Sequence, residues 1–493
     1  MQLSVLIDSL VEHHLLSETV NEEPDAIITS ITQDSRKIVQ NGLFIAIKGE
    51  KFDGHLFIEK AIEKGASAIV CEDFPEVRHL DVSYLKVSNG RHAEAILACA
   101  FYGEPSRKLE LIGVTGTNGK TTTTYLLHHL LNQVGKKTGL IGTIEYKIGD
   151  TIIESTHTTP DAIRLSAFFR QMVDEGCQAC SMEVSSHALA QERVEGHRFQ
   201  VAVFSNLTHD HLDFHHTFEE YFLAKKKLFD GLDEHAFALY NADDPYGKRI
   251  VADTKAHVLS YGQHPEADIS FEVLENKVTG LRLRLDGHES HFRLVGDFNA
   301  YNLCAAYAVG KCLNIPKTML LTVLEKSHAV PGRFEQIHFG NEVTAIVDYA
   351  HTPDALENVL KTILEVKEQD AKVWCVFGCG GDRDPQKRAE MGRIAEKYAD
   401  FPIVTSDNPR TEWPEKILRD IREGIQHPEE VVWIIDRHEA ITYAAEHAAP
   451  HDVVLIAGKG HEPYQIIGKE KFHFDDREQI MNAYKALNVG VLN

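Results

Sequence analysis

Short apolar runs recur along the chain, each closed by a turn-forming residue and many followed by a stretch of helical spacing. In the first segment the strand-like runs are I-I-T-S-I-T and L-F-I-A-I-K-G, with a helix–strand pair from Ala61 to Val70. After Tyr102 the sequence G-E-P-S-R-K makes a turn-rich connection. A second segment opens with E-L-I-G-V-T, a strand that runs straight into G-T-N-G-K-T-T-T-T and a leucine-bearing helix, Tyr125 to Leu131. A third begins near H-A-V-P-G-R-F-E, around Pro331. There T-A-I-V-D-Y-A-H leads into a helix from Pro353, with Leu356, Leu360, Ile363 and Leu364 at helical spacing. V-W-C-V-F-G-C-G-G-D-R-D, P-I-V-T-S-D-N-P-R, V-V-W-I-I-D and D-V-V-L-I-A-G-K-G-H-E continue the alternation with intervening helices. Strands alternating with helices predict an α/β fold, here a doubly wound, mostly parallel sheet. The expected domains are 1–105, 106–331 and 332–493.

Ligands of such sheets bind beyond the carboxyl ends of the strands. Four polar clusters stand at those ends: Asp348 to His351, Gly380 to Arg383, Asp407 to Arg410 and Gly458 to Glu462. The chain has 493 residues, enough for three or four domains. Its formal net charge of −23 argues against a general nucleic-acid binder, since counterion release needs a basic face. It does not exclude phosphate ligands held by a local cluster of donors. No basic leader and no long apolar run is visible, so a cytoplasmic protein with reduced cysteines is expected. The close pairs Cys177/Cys180 and Cys375/Cys379 lie in apolar runs and read as buried thiols rather than zinc half-sites.

Gly116-Thr117-Asn118-Gly119-Lys120-Thr121-Thr122 lies between a strand and a helix, the context of a phosphate loop. Its backbone N–H groups can curl around phosphate, Lys120 can reach the terminal phosphates and Thr121 can ligate Mg²⁺. Val114 stands where the general pattern has its first glycine, so a plain structural turn is the competing reading. A phosphate-bound magnesium wants a further carboxylate, and Glu183, ending A-C-S-M-E-V, is a candidate. The run Asn206 to His216 holds four histidines and two aspartates, in spacing that matches no standard zinc template. Within Y-F-L-A-K-K-K-L-F the three lysines, taken alone, read as a solvated basic face.

Together these strings resemble the Mur ligases of peptidoglycan synthesis, and most closely the MurE type, which adds the third residue of the stem peptide. The resemblance runs in order through T-Q-D-S-R, D-G-H, G-T-N-G-K-T-T, H-T-T-P, M-E-V-S-S-H-A-L, N-L-T-H-D-H-L-D, Y-F-L-A-K, G-D-F-N-A-Y-N, P-G-R-F-E, D-Y-A-H-T-P, G-C-G-G-D-R-D, S-D-N-P-R and G-K-G-H-E. It implies three domains: one for the UDP end of the acceptor, a central P-loop ATPase and a carboxyl-terminal domain for the amino acid. Gly116 to Thr122, with Asn302, Arg333 and Asp348, would hold ATP. Thr121, Glu183, His211 and a carbamylated Lys225 would hold magnesium, leaving Lys226 and Lys227 as ordinary surface residues. The acceptor, UDP-MurNAc-L-Ala-D-Glu, would meet Gln33, Ser35, Glu50, Lys51 and Phe52, and in the centre His157, Thr158, Thr159, Ser185, Gln191 and Arg193. His157 replaces an asparagine common in related enzymes. Arg383, Asp407, Asn408, Pro409, Arg410, Gly458 and Glu462 match contacts to meso-diaminopimelate.

The activity this resemblance implies is ATP-dependent amide formation through an acyl phosphate, by a monomeric chain. His351 or a carboxylate would take the amine's proton. Two rival readings are a folylpolyglutamate synthetase-like ligase, which lacks the amino-terminal domain, and a nucleotide-dependent switch that performs no ligation.

Overall fold

The computed structural model describes residues 1–49, 52–208, 210 and 212–492. The expected contacts Glu50, Lys51 and His211 lie outside the described residues. Two compact units form: Met1–Ser270 with Asn302–Leu320, and Phe271–Tyr301 with Leu321–Asn493.

The first unit carries two sheets. In the smaller one the strand order is Leu16–Val20, Ser83–Val87, Ala66–Cys71, Gly42–Ile45, Ser30–Thr32, parallel except for the first pair. Period-two alternation sends Leu43 and Ile45 to a core shared with the helices Leu3–Glu12 and Gly90–Phe101, and Phe44 to the opposite core with Ile58 and Ala61 of the helix Ile58–Glu63. Of I-I-T-S-I-T only Ser30–Thr32 is strand. Residues on either side of the turn at Pro105 pack together. Asn89 Nδ2 donates to Glu192 Oε2 at 2.9 Å, and Arg198 N to Ser106 Oγ at 3.2 Å.

In the larger sheet Glu110–Thr115 is central, with Ala179–Glu183 and Thr138–Ile141 in parallel on one side, and Val201–Phe204, Phe237–Asn241 and His257–Gly262 on the other. Such strands are buried on both faces, which is why they read as unbroken apolar runs. The following helix spans Lys120–Gln133 rather than starting at Tyr125. Its first turns are threonines, which periodicity ignores, yet Thr121 to Thr124 are all buried and Thr124 Oγ1 bonds back to Thr121 O at 3.0 Å.

The second unit is the predicted doubly wound sheet. Its order is Val432–Trp433, Phe401–Val404, Val373–Phe377, Val453–Ala457, Thr344–Asp348, Glu335–Phe339, Val491–Leu492, with the last two strands antiparallel. Cys375 and Phe377 face one core with the helices Pro353–Val366, Gln386–Tyr398 and Pro414–Arg422. Trp374 and Val376 face the other with Arg437–His447 and Asp476–Ala486. Leu364 proves exposed at 39%. At about 100° per residue it stands roughly 80° around the helix from Leu356, outside the stripe that Val359 and Val366 complete. V-V-W-I-I-D contributes only Val432–Trp433, because it is the sheet edge and Ile435 turns outward. All eight cysteines are buried free thiols, as expected. Among the described residues no helix is long and apolar enough to cross a membrane.

Candidate active site

In the larger sheet of the first unit, three adjacent strand ends converge. Glu110–Thr115 ends in the loop Gly116–Gly119, with Glu183 closing one neighbouring strand and Ser205-Asn206 following the other. Gly116 and Gly119 hold φ of 146° and 86°. A Cβ on Gly116 would lie 2.0 Å from Ser205 Oγ, and one on Gly119 2.5 Å from Asn302 Oδ1, so both positions require glycine. Val114, the departure from the general pattern, is fully buried within the strand. Asn206 props the loop: its carbonyl accepts the Thr117 N–H at 2.8 Å and its Oδ1 the Asn118 N–H at 2.9 Å. Ser205 Oγ donates to Asn118 O at 2.6 Å, and Thr117 Oγ1 lies 3.1 Å from the Tyr221 hydroxyl. Lys120 Nζ folds back over the loop, donating to Gly116 O at 2.9 Å and Thr117 O at 2.7 Å. A glycine-shaped loop opening a helix with a lysine at its first position is built to receive phosphate.

Glu183 is 1% exposed. Its carboxylate accepts from Thr121 Oγ1 at 3.0 Å, Thr143 N at 2.8 Å and Thr143 Oγ1 at 3.1 Å. A threonine hydroxyl and a carboxylate at the helix start are hard oxygen donors, so these residues fit Mg²⁺. Among the described residues no group of three His, Cys, Asp or Glu side chains gathers as a metal cage. Lys225, on the helix Phe218–Asp230, is 1% exposed, with Nζ 2.8 Å from Gly116 O and 4.5 Å from the Tyr221 ring centroid. Burial, helped by the charge of Lys120, holds its amine well below the usual lysine range. Lys226 is no surface residue: it is buried and paired with Asp230 and, at 2.7 Å, with Asp253, whose charges make its burial tolerable. Lys227 remains exposed.

The expected acceptor residues divide in two. Gln33, Phe52, Gln191 and Arg193 line a cavity of about 290 Å³, joined by Arg91, Glu94 and Asp161, which no motif had singled out. Thr158, Thr159 and Ser185 lie instead in a hydrogen-bonded relay beside it. Arg193 Nη1 donates to Thr159 O at 2.7 Å, Thr159 Oγ1 donates to Glu183 O at 2.8 Å, and Ser185 N donates to Thr159 Oγ1 at 3.1 Å. Thr158 Oγ1 is 3.0 Å from Thr143 Oγ1. Ser35 is buried, whereas the His157 side chain is exposed. The relay ties the cavity wall to the strand end that carries Glu183.

The second unit gathers its own polar clusters at the ends of neighbouring parallel strands. Gly381 N donates to Asn408 O at 2.9 Å, Arg410 Nη1 to Gly381 O at 2.8 Å, Asn408 Nδ2 to Glu462 Oε2 at 2.9 Å, and Gly458 N to Asp348 O at 3.0 Å. A Cβ on Gly381 would stand 1.9 Å from Pro409 O, and one on Gly458 2.5 Å from Asp407 Oδ2. Asp407 and Asn408 are buried, Arg410 is half-buried and Arg383 is exposed on the same rim. Arg410 makes no ion pair among the described residues. Burial pushes the Glu462 carboxyl up, against the pull of Lys459. Lys459, fully buried, places Nζ 3.2 Å from Asn408 Oδ1 and 3.5 Å from Glu462 Oε2. It had gone unassigned although it stands inside G-K-G-H-E. Arg333 lies over the Tyr349 ring at 4.8 Å, and Asp348 accepts N–H bonds from Phe334 at 2.6 Å and Ala350 at 2.8 Å. His351 is exposed, its carbonyl receiving Lys387 Nζ at 2.8 Å. Arg333, Asp348 and His351 thus belong to the second unit, and Asn302 to the first.

Three family models match consecutive parts of the chain: Mur ligase family, catalytic domain at residues 27–102; Mur ligase middle domain at 114–310; and Mur ligase, glutamate ligase domain at 332–460. A protein of Geobacillus kaustophilus named UDP-N-acetylmuramoyl-L-alanyl-D-glutamate--2,6-diaminopimelate ligase is 47% identical over 96% of this chain and 98% of its own length. Its namesake from Cytophaga hutchinsonii is 46% identical over 93% and 95%. A solved structure of a ligase of that name superposes with a TM-score of 0.72 at 33% identity, covering 95% of this chain and 97% of its own. With full-length relatives at this identity and the three-domain α/β architecture they share, the chain belongs to the Mur ligase family.

Proposed function

We propose that this chain is the ATP-dependent ligase that joins meso-2,6-diaminopimelate to the γ-carboxylate of D-Glu in UDP-MurNAc-L-Ala-D-Glu, in the cytoplasmic synthesis of peptidoglycan precursors. The observation that carries the amino-acid assignment is the strand-end cluster of the second unit. A guanidinium without an ion pair, Arg410, shares a loop with the buried Asp407, and Asn408 of that loop bonds to Glu462. A cation beside acids matches the zwitterionic end that distinguishes diaminopimelate from lysine. The names of the full-length relatives support the same reaction. We assign 1–105 to the acceptor's UDP end, 106–331 to ATP and 332–493 to the amino acid, an assignment supported by the order of the three family models along the chain.

We assign the roles as follows. The loop Gly116–Thr122 holds the ATP phosphates, and Lys120 stabilises charge on the γ-phosphoryl oxygens as the acceptor carboxylate attacks phosphorus and ADP leaves. Thr121, Glu183 and a carbamate on Lys225, with His211 as the resemblance implies, would hold magnesium, which would neutralise phosphate charge. Arg193, which donates to Thr159 O and to Gln191 Oε1, positions the acceptor together with Gln191. The amine nitrogen then attacks the acyl carbon, gives up a proton, and the carbon–oxygen bond to phosphate breaks. His351, at a strand end of the second unit, or a carboxylate would take that proton.

Amino-acid dependence of ADP release tests the reading. Release should require the UDP-linked dipeptide and meso-diaminopimelate together. ADP release with nucleotide alone would favour a switch, and release with a folate acceptor would favour the folylpolyglutamate-type ligase.

A further inference from the structure

The cavity of the first unit contains a carboxyl group with no role in the mechanism above. Glu94 lies in the helix Gly90–Phe101, whose other inward residues, including Ala93, Ile96 and Leu97, are apolar. It is 7% exposed, lines the cavity, and its Oε1 is buried with no hydrogen-bond partner. A buried polar atom left unpaired in a cavity wall is costly unless something that enters the cavity pairs with it. Three charged groups act on it: Arg91 from its own helix, Asp161 from the cap of Ala162–Asp174, and Arg193 from the loop after Ser186–Ala190. Burial first, and then the Asp161 carboxylate, push its acid up to about 8 against the pull of the two arginines. At neutral pH the group is therefore a hydrogen-bond donor as well as an acceptor.

We propose that Glu94 is a specificity-determining residue of this cavity, donating a hydrogen bond as a neutral carboxylic acid to an uncharged carbonyl or hydroxyl oxygen of the nucleotide-sugar acceptor. The inference rests on the acceptor reading given above. Arg91 and Arg193 supply the positive charge that a diphosphate needs, and a neutral Glu94 leaves that charge uncancelled. Ionised, it would stand as a second anion beside Asp161 and could only accept.

The test measures the dissociation constant of UDP-MurNAc-L-Ala-D-Glu by calorimetry on the full chain with magnesium and a non-hydrolysable ATP analogue. For the parent, affinity should fall about tenfold between pH 7 and pH 9 as Glu94 ionises. Glu94→Gln, which keeps a donor and cannot ionise, should bind with a flat profile over that range. Glu94→Leu should bind about tenfold more weakly at pH 7, again with a flat profile, while its affinity for the ATP analogue stays at the parent value. A flat parent profile, or a Gln variant that follows the parent's slope, overturns the proposal. If that happens while ADP release still requires acceptor and diaminopimelate, only the role of Glu94 falls. If the parent neither binds the acceptor nor releases ADP with it, the ligase reading falls as well.

Discussion

Lysine reacts with carbon dioxide as the free amine, and few lysines are free amines near neutral pH. At Lys225 burial first, and then the neighbouring Lys120, disfavour the cation and so favour the reactive amine. Attack of its nitrogen on CO₂ with loss of a proton turns that unwanted cation into an oxygen anion suited to magnesium. Lys225→Ala should therefore lose most ADP-forming activity, and short carboxylic acids added to the assay should restore part of it. A variant that turns over at the parent rate would discard the carbamate. Arg410 is the matching case in the second unit, its guanidinium aimed over Gly381 and short of an anion. Offering L-lysine leaves that cation unpaired, which should cost about 10²-fold in rate at equal concentration. Arg410→Ala should erode the preference for meso-diaminopimelate, read as the ratio of ADP release with the two amino acids. Equal rates for both in the parent would refute this assignment without touching the ligase reading.

Among the elements, the phosphate loop holds its shape through its neighbour as much as through its own glycines. Asn206, at the end of the strand Val201–Phe204, accepts from the backbone of both Thr117 and Asn118. Asn206→Ala keeps the main-chain bond but releases the Asn118 N–H. The variant should bind an ATP analogue about tenfold more weakly with little change in thermal stability. An unchanged nucleotide affinity by titration would mean the loop is shaped by Gly116 and Gly119 alone. The helix that follows makes a similar point: four buried threonines begin it, and its start is set by the left-handed Gly119 rather than by helix propensity.

Across the molecule, the buried His197 and the half-buried His128 and His461 link stability to pH. Burial holds His197 at about 3, and His128 and His461 at about 4, each from an ordinary value of 6.5. Because their folded-state values lie below those of the unfolded chain, the unfolded chain takes up more protons in acid. Their contribution to stability is complete above about pH 6.5 and is lost progressively as pH falls towards 3–4. For a fully buried histidine the slope reaches ~1.4 kcal/mol per pH unit. Thermal unfolding should shift to lower temperature between pH 7 and pH 5, and His197→Gln, though less stable, should show a shallower slope. Parallel slopes for parent and variant would assign the acid sensitivity elsewhere.

Patterns that depend on neighbours in the chain were legible in the sequence. The apolar strand runs of the second unit, the glycines of Gly116–Gly119 and the four polar clusters at strand ends all follow from local order, because apolar runs and left-handed turns are short-range features. Glu183 stood in the sequence only as a candidate carboxylate, and its bond to Thr121 spans 62 positions. What the tertiary structure alone decided depends on residues far apart. Asn206 reaches Asn118 across 88 positions, and Arg193 reaches Thr159 across 34. The same distance hides burial: Lys226 reads as a surface lysine until Asp230 and Asp253 close around it, and Glu94, in no motif, is singled out only by the cavity it lines. Desolvation is a property of packing, so the direction in which Lys225, Glu94 and His197 are shifted became readable only once the chain had folded around them.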